Sequence, residues 1–146
     1  MTRIGREQIL AMIPHQGAMC LLDEVLVWDA SSVRCLSYRY CHADNPMRRR
    51  DGTLGAAGCV EMAAQAMAVH GRLQAPEDSR AVPGYLVSLR DVCLSAARVD
   101  EAAAPLTIDA RLLAGDRAGA TYHFAVSDKR TEWLSGRATV LFGVRR

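Results

Sequence analysis

LGAAGCVEMAAQAMAVHG, running from Leu54 to Gly71, is built from alanine, glycine and apolar residues, with Glu61 as its only formally charged side chain. A surface helix carries one apolar stripe and one charged face, whereas this segment is small or apolar almost all round, so other elements must wrap it. Its small side chains permit close approach. A membrane span needs about 20 predominantly apolar residues, and this run is too short and is interrupted by Glu61, Gln65 and His70. The spacing therefore predicts a helix enclosed by protein.

The flanking sequence supplies the enclosure. Residues 6–13, REQILAMI, place Ile9, Leu10 and Ile13 at helical spacing, and Pro14 ends them. A loop, HQGAM, follows. Residues 21–28 and 33–40 are rich in Val, Leu, Trp and Tyr and are separated by Asp29-Ala-Ser-Ser32, which predicts two paired strands. Residues 42–53, HADNPMRRRDGT, contain the turn dipeptide Asn45-Pro46 and read as an exposed loop. After the central helix, residues 82–94, 106–114, 119–127 and 132–143 read as strands, divided by turn-rich stretches at 100–105, 115–116 and 127–130. Loops this short join strands most economically as antiparallel meanders. The expected fold class is α+β: a curved antiparallel sheet wrapped around one long helix.

Composition bounds the function. With 146 residues the chain is expected to be one domain spanning 1–146. Eighteen basic residues against sixteen acidic leave a formal charge of +2, which disfavours a polyanionic main partner such as nucleic acid. Arg3, Arg6 and Glu7 interrupt the N-terminal stretch where a secretory signal needs an apolar run, and no later stretch reads as a span, so a cytoplasmic protein is expected. Cys20, Cys35, Cys41, Cys59 and Cys93 are odd in number and contain no Cys-x-x-Cys, so they are expected to be buried free thiols rather than disulfides or zinc ligands.

Two stretches carry a resemblance. IPHQGAMCLLDEVLVWD (Ile13 to Asp29) is similar to the Leu-Pro-His-Arg-x-Pro-x-Leu-Leu-x-Asp-Arg-Val motif of the small hot-dog 3-hydroxyacyl-(acyl carrier protein) dehydratases, and VEMAAQAMA (Val60 to Ala68) is similar to their Ile-Glu-Ala-Met-Ala-Gln-Ala. The likeness covers nearly the whole chain, and YLVSLRDVCL (Tyr85 to Leu94) sits where that family begins its third strand. One position departs from the family. Its catalytic His, in a His-Phe-Pro-Gly motif, stands fourteen residues before the helix Glu, and that place here is Met47. With His-x-x-Asn-Pro in the loop and Glu-x-Met-Ala-Gln-Ala-x-Ala on the helix, the chain most resembles the dehydratase-like proteins of aryl polyene pathways.

That resemblance implies dehydration of a 3-hydroxyacyl thioester on acyl carrier protein, in a fatty-acid-like or polyene pathway. The chemistry needs a base for the C2 proton, an acid for the departing C3 hydroxyl, and donors for the enolate-like thioester oxygen. Glu61 is the candidate acid, because desolvation among small apolar residues favours a neutral, proton-donating carboxyl; a carboxyl paired with an arginine or bonded to backbone is the alternative. Gly55 and Gly58 either let the thioester approach the first helical turn or serve helix-to-sheet packing. Gln65, one turn after Glu61 on the same face, either orients that carboxyl or makes an ordinary buried hydrogen bond.

His15, which matches the family's Pro-His, and His42, on the loop of the lost histidine, are the candidate bases. His70 and His123 are accounted for by packing or exposure. A base supplied by a second subunit is the other solution, because hot-dog domains pair and their composite sites draw on both chains; homo-dimer and hetero-dimer both remain open. Arg48, Arg49 and Arg50 form the one dense charge cluster and either dock the acidic carrier protein or are solvated. No metal or cofactor is expected, since the partner protein carries the pantetheine thioester. Two rival readings stand on the same fold: an acyl thioesterase that uses the helix carboxylate, and a non-catalytic partner subunit of a hetero-dimeric dehydratase.

Overall fold

The computed structural model describes residues 3–14, 16–41, 44–51, 53–55, 58–75, 84–95, 102 and 105–142. In chain order the elements are β1 (Ile4–Gly5), α1 (Arg6–Met12), β2 (Glu24–Trp28), β3 (Ser32–Ser37), α2 (Cys59–Gln74), β4 (Gly84–Leu94), β5 (Leu106–Gly115), β6 (Gly119–Ser127) and β7 (Glu132–Phe142). The strands form one sheet in the order β1-β2-β3-β5-β6-β7-β4, with every neighbouring pair antiparallel. The chain leaves β3 through α2, enters the sheet again at its far edge as β4, and returns to lay β5 beside β3. This is the hot-dog arrangement that the resemblance implies.

Burial alternates along β6 and along the first half of β5, so one face of the sheet is apolar and meets α2. From the sheet come Leu106, Ile108, Tyr122, Phe124, Val126 and Leu134, and from the helix Met62, Ala63, Ala66 and Val69, all within one buried cluster. The alanines let the helix settle close to β3, β5 and β6. Full burial of a side chain such as Phe124 contributes about 1.5–3 kcal/mol, so this interface dominates the stability of the fold.

One device closes three of the hairpins. Asp29, Asp116 and Asp128 each stand at the first turn position, and each carboxylate accepts the backbone N–H groups two and three residues on, at 2.7–3.2 Å. At Asp29 the Ser31 N–H, followed by the Ser31 and Ser32 hydroxyls, holds the carboxyl below its ordinary value.

The structure revises several sequence boundaries. α2 begins at Cys59 rather than Leu54, because Leu54 pairs with Arg48 in an antiparallel bridge and the Gly58 N–H bonds the Gly55 carbonyl. It also continues beyond Gly71 to Gln74. A glycine inside a helix costs about 1 kcal/mol, and the bonds of His70 to Tyr122 and Asp29 and of Gln74 to Asp29, at about 1 kcal/mol each, offset it.

β2 starts three residues later than the apolar run suggests. The Leu21 carbonyl accepts the Ser37 hydroxyl at 2.6 Å, and the Leu21 N–H goes to a helix side chain. β3 ends at Ser37 because the Asp23 carboxylate accepts the N–H groups of Tyr38 and Arg39 and folds Arg39–Cys41 into a 3-10 turn. Within 42–53 most described residues are exposed, as expected of a loop, but Asn45 is buried and a bridge between Arg48 and Leu54 closes a small hairpin.

The thiols divide as well. Cys20, Cys35 and Cys59 are buried, but Cys93 is exposed, because β4 lies at the sheet edge and, among the described residues, pairs with β7 alone. Tyr85, Leu86, Val87, Leu89, Val92 and Leu94 of that strand are also exposed. No described helix is long and apolar enough to cross a membrane.

Candidate active site at the start of the central helix

Glu61 lies in the first turn of α2 and is half-buried. Gly58 caps that turn. A Cβ added there would stand 3.5 Å from Met47 Cβ and 3.8 Å from Met47 Cε, so the loop that carries Met47 runs directly against the helix start. Asn45 builds this loop. Its amide donates to the Tyr40 carbonyl at 2.8 Å while its Oδ1 accepts the Met47 N–H at 2.9 Å. Asn45 was not singled out in the sequence beyond its turn dipeptide, although Asn before Pro with a nearby helix N-terminus is a signal for such an anchor.

The position of the family's histidine is thus occupied by a thioether, one turn ahead of Glu61. Gly55 is buried, and its carbonyl receives the Gly58 N–H at 3.0 Å, which tightens the chain into the helix. Arg48 is half-buried at the base of the hairpin, while Arg49 and Arg50 are exposed towards its tip. The Arg49 N–H closes the hairpin on the Thr53 carbonyl at 2.8 Å.

Gln65 is fully buried on the Glu61 face of α2. Its Oε1 accepts the Leu21 N–H at 2.9 Å, and its Nε2 donates to the Met19 carbonyl at 2.7 Å. Both ends of the amide therefore hold the loop that follows Pro14. Arg6 secures the same loop from the other side, donating to the carbonyls of Gly17, Cys20 and Leu22 at 2.8–3.0 Å. Two loops, one following Pro14 and one carrying Met47, converge on the first two turns of α2.

His15 and His42 lie outside the described residues. Of the other two histidines, His70 is fully buried near the far end of α2. Its Nε2 lies 2.9 Å from the Asp29 carbonyl, which only accepts, so Nε2 carries the proton and Nδ1 accepts the Tyr122 hydroxyl at 2.7 Å. His123 is half-buried in β6 on the sheet face turned away from α2. Neither is placed beside Glu61.

Cys59, two residues before Glu61, is also kept from nucleophilic chemistry: burial pushes its thiol up to about 12. Among the described residues no group of three His, Cys, Asp or Glu side chains is placed to hold a metal ion.

Comparison with known proteins places this geometry. A family model described as ApeP-like, ApeP dehydratase, matches residues 7–143. A search of the curated proteins finds no match. Among solved structures, the dehydratase heterocomplex ApeI:P from Xenorhabdus doucetiae aligns with a TM-score of 0.83 at 23% identity, covering 94% of this chain and 91% of that one. A mutant thioesterase from Pseudomonas aeruginosa aligns with a TM-score of 0.67 at 13% identity over 93% of this chain and 91% of that one. A thioesterase from Haemophilus influenzae aligns with a TM-score of 0.66 at 11% identity, over 93% and 88%. These structural likenesses carry the hot-dog fold.

Proposed function

The chain belongs to the ApeP-like family of dehydratases, and we propose on that premise that it acts on a 3-hydroxyacyl thioester carried by acyl carrier protein, in a fatty-acid-like or polyene pathway of the cytoplasm. A base removes the proton at C2, the Glu61 carboxyl protonates the hydroxyl leaving C3, and water and the trans-2-enoyl thioester result. Backbone N–H groups of the first turn of α2, approached past Gly55 and Gly58, stabilise the enolate-like oxygen. Acid–base chemistry of this kind calls for no metal or redox cofactor.

The observation that carries the reading is the packing of Met47 against Gly58, which puts a side chain without acid–base capacity where the resemblance requires the base. The chain then contributes half of a composite site. A second hot-dog subunit supplies the base and docks along β4, whose outer edge has no strand partner among the described residues and whose exposed apolar side chains call for cover. The similarity to one chain of a dehydratase heterocomplex supports this assembly. His15 is the in-chain alternative, since Gln65 holds the loop after it against the Glu61 face of the helix. The acidic carrier protein docks on the arginine hairpin Arg48–Arg50, a reading supported by the exposure of Arg49 and Arg50 just ahead of α2.

The same Met47 substitution favours one rival, a thioesterase in which the Glu61 carboxylate activates water. The product separates the two. Mass spectrometry of a 3-hydroxyacyl carrier protein incubated with the co-expressed complex reads loss of one water, and Glu61→Gln in this chain abolishes it. Release of free acid without any enoyl product assigns the thioesterase instead.

A further inference from the structure

On the sheet face turned away from α2, four basic side chains stand in one line. Arg111 of β5 is the register partner of His123 of β6, His123 of Arg137 of β7, and Arg137 of Arg90 of β4. Directly opposed residues share a face, and strands lie about 4.8 Å apart, so the line is about 14 Å long. Their neighbours along the strands, Ala110, Tyr122, Phe124 and Ala138, are buried on the helix side, which turns this row outward. Arg90, Arg111 and Arg137 are exposed and His123 is half-buried.

The row is scarcely neutralised. Asp91 pairs with Arg137 at 3.2 Å, while the side chains of Arg90, Arg111 and His123 have no hydrogen bond or ion pair among the described residues. Like charges at directly opposed sheet positions are destabilising, so Arg90 opposite Arg137, with Arg111 two strands further on, works against the folded state unless something anionic covers the row. Beside Arg111 and His123 lies a depression of about 440 Å³ that also takes in Ser32, Arg34, Asp109 and Ala125. Its one carboxylate, Asp109, is already bonded to Arg34 at 2.7 and 3.4 Å.

The geometry points to an acidic helix of a protein partner, laid across the strands of this face. Glutamates at i, i+4, i+7 and i+11 of a helix span about 16.5 Å at 1.5 Å per residue, and the mismatch of about 2 Å with the row is within reach of an arginine side chain. On β6 and β7 the flanking positions are short and uncharged, Thr121 and Thr139 in one row and Ala125 and Ser135 in the other, and the latter row continues into the Asp109–Arg34 pair, whose charges cancel. The surface uses none of the residues assigned to dehydration, so it stands or falls separately from that activity.

The test uses the whole chain and a stapled helical peptide with glutamate at i, i+4, i+7 and i+11, with its glutamine counterpart as control. The glutamate peptide is expected to bind in low salt and the glutamine peptide is not. The triple variant Arg90→Gln, Arg111→Gln, Arg137→Gln is expected to bind about tenfold or more weakly, with a melting temperature unchanged or raised because self-repulsion is relieved. Equal binding by the triple variant, or by a proline-broken peptide of the same charge, overturns the proposal. So does a DNA duplex that displaces the peptide below the peptide's own binding concentration, which would assign the row to a phosphate backbone.

Discussion

Gln65 and Leu21, 44 residues apart in sequence, are joined by a buried bond of 2.9 Å from the Leu21 N–H to Gln65 Oε1, and Nε2 of the same side chain donates to the Met19 carbonyl at 2.7 Å. A single amide thus sets the distance between the loop after Pro14 and the helix face that carries Glu61. Gln65→Leu leaves the buried Leu21 N–H and the part-buried Met19 carbonyl without these partners. A buried unsatisfied group costs about 1–3 kcal/mol, and the Met19 carbonyl can turn to water, so the variant should lose about 1–3 kcal/mol in a urea titration, with faster hydrogen exchange at Leu21. Unchanged stability would mean that water or another group replaces the amide.

The His70–Tyr122 pair makes a pH prediction. Burial pushes the Tyr122 hydroxyl up to about 12 from an ordinary value near 10. The folded state therefore holds this proton more tightly than the unfolded chain. Its contribution is fully present below about pH 10 and is lost as pH rises through about 12. Tyr122→Phe should flatten the fall of stability between those values, and at neutral pH it should cost about 1 kcal/mol through the lost bond to His70 Nδ1.

Thiol chemistry separates the cysteines. Burial raises Cys35 and Cys59 to about 12, and Cys20 has no exposed surface, whereas Cys93 lies open on β4. Among these four, an aromatic disulfide reagent should label Cys93 alone in the folded chain and reach the others only on denaturation. Mass mapping of the labelled peptides checks the order.

The exposed apolar side chains of β4 predict association. The isolated chain should self-associate or aggregate in light scattering, because an uncovered apolar edge strand is a template for pairing. Val87→Lys with Leu89→Lys should raise its solubility while reducing its capture by a co-expressed hot-dog subunit. A variant that is captured as well as the wild type would remove β4 from the interface.

How far the sequence could be read depended on the range of the interactions involved. The hairpins were legible because Asp29, Asp116 and Asp128 act within three residues of themselves. The enclosed helix was legible because its alanines and glycines left no charged face apart from Glu61. Its ends were not, since the start is fixed by the Arg48–Leu54 bridge and the end by bonds to the Asp29 carbonyl, 45 residues away from Gln74.

The exposure of β4 and of Cys93 follows from an edge position that only the strand order reveals, because Val, Leu and Tyr in sequence look the same at an edge and in a core. Glu61 and Gln65 stood out by motif. The partners of Gln65 did not, and neither did the anchor at Asn45, the His70–Tyr122 bond, or the basic file on the outer sheet, which appears only once four strands are set in register.

The most direct test of the composite site is the dehydration assay run on this chain alone and again after co-expression with a second hot-dog dehydratase subunit from the same pathway. With Met47 in the place of the base, the expected result is no loss of water from the 3-hydroxyacyl carrier protein by the chain alone and enoyl product from the pair. Full activity of the purified chain alone would contradict a shared site and return the base to His15 or His42.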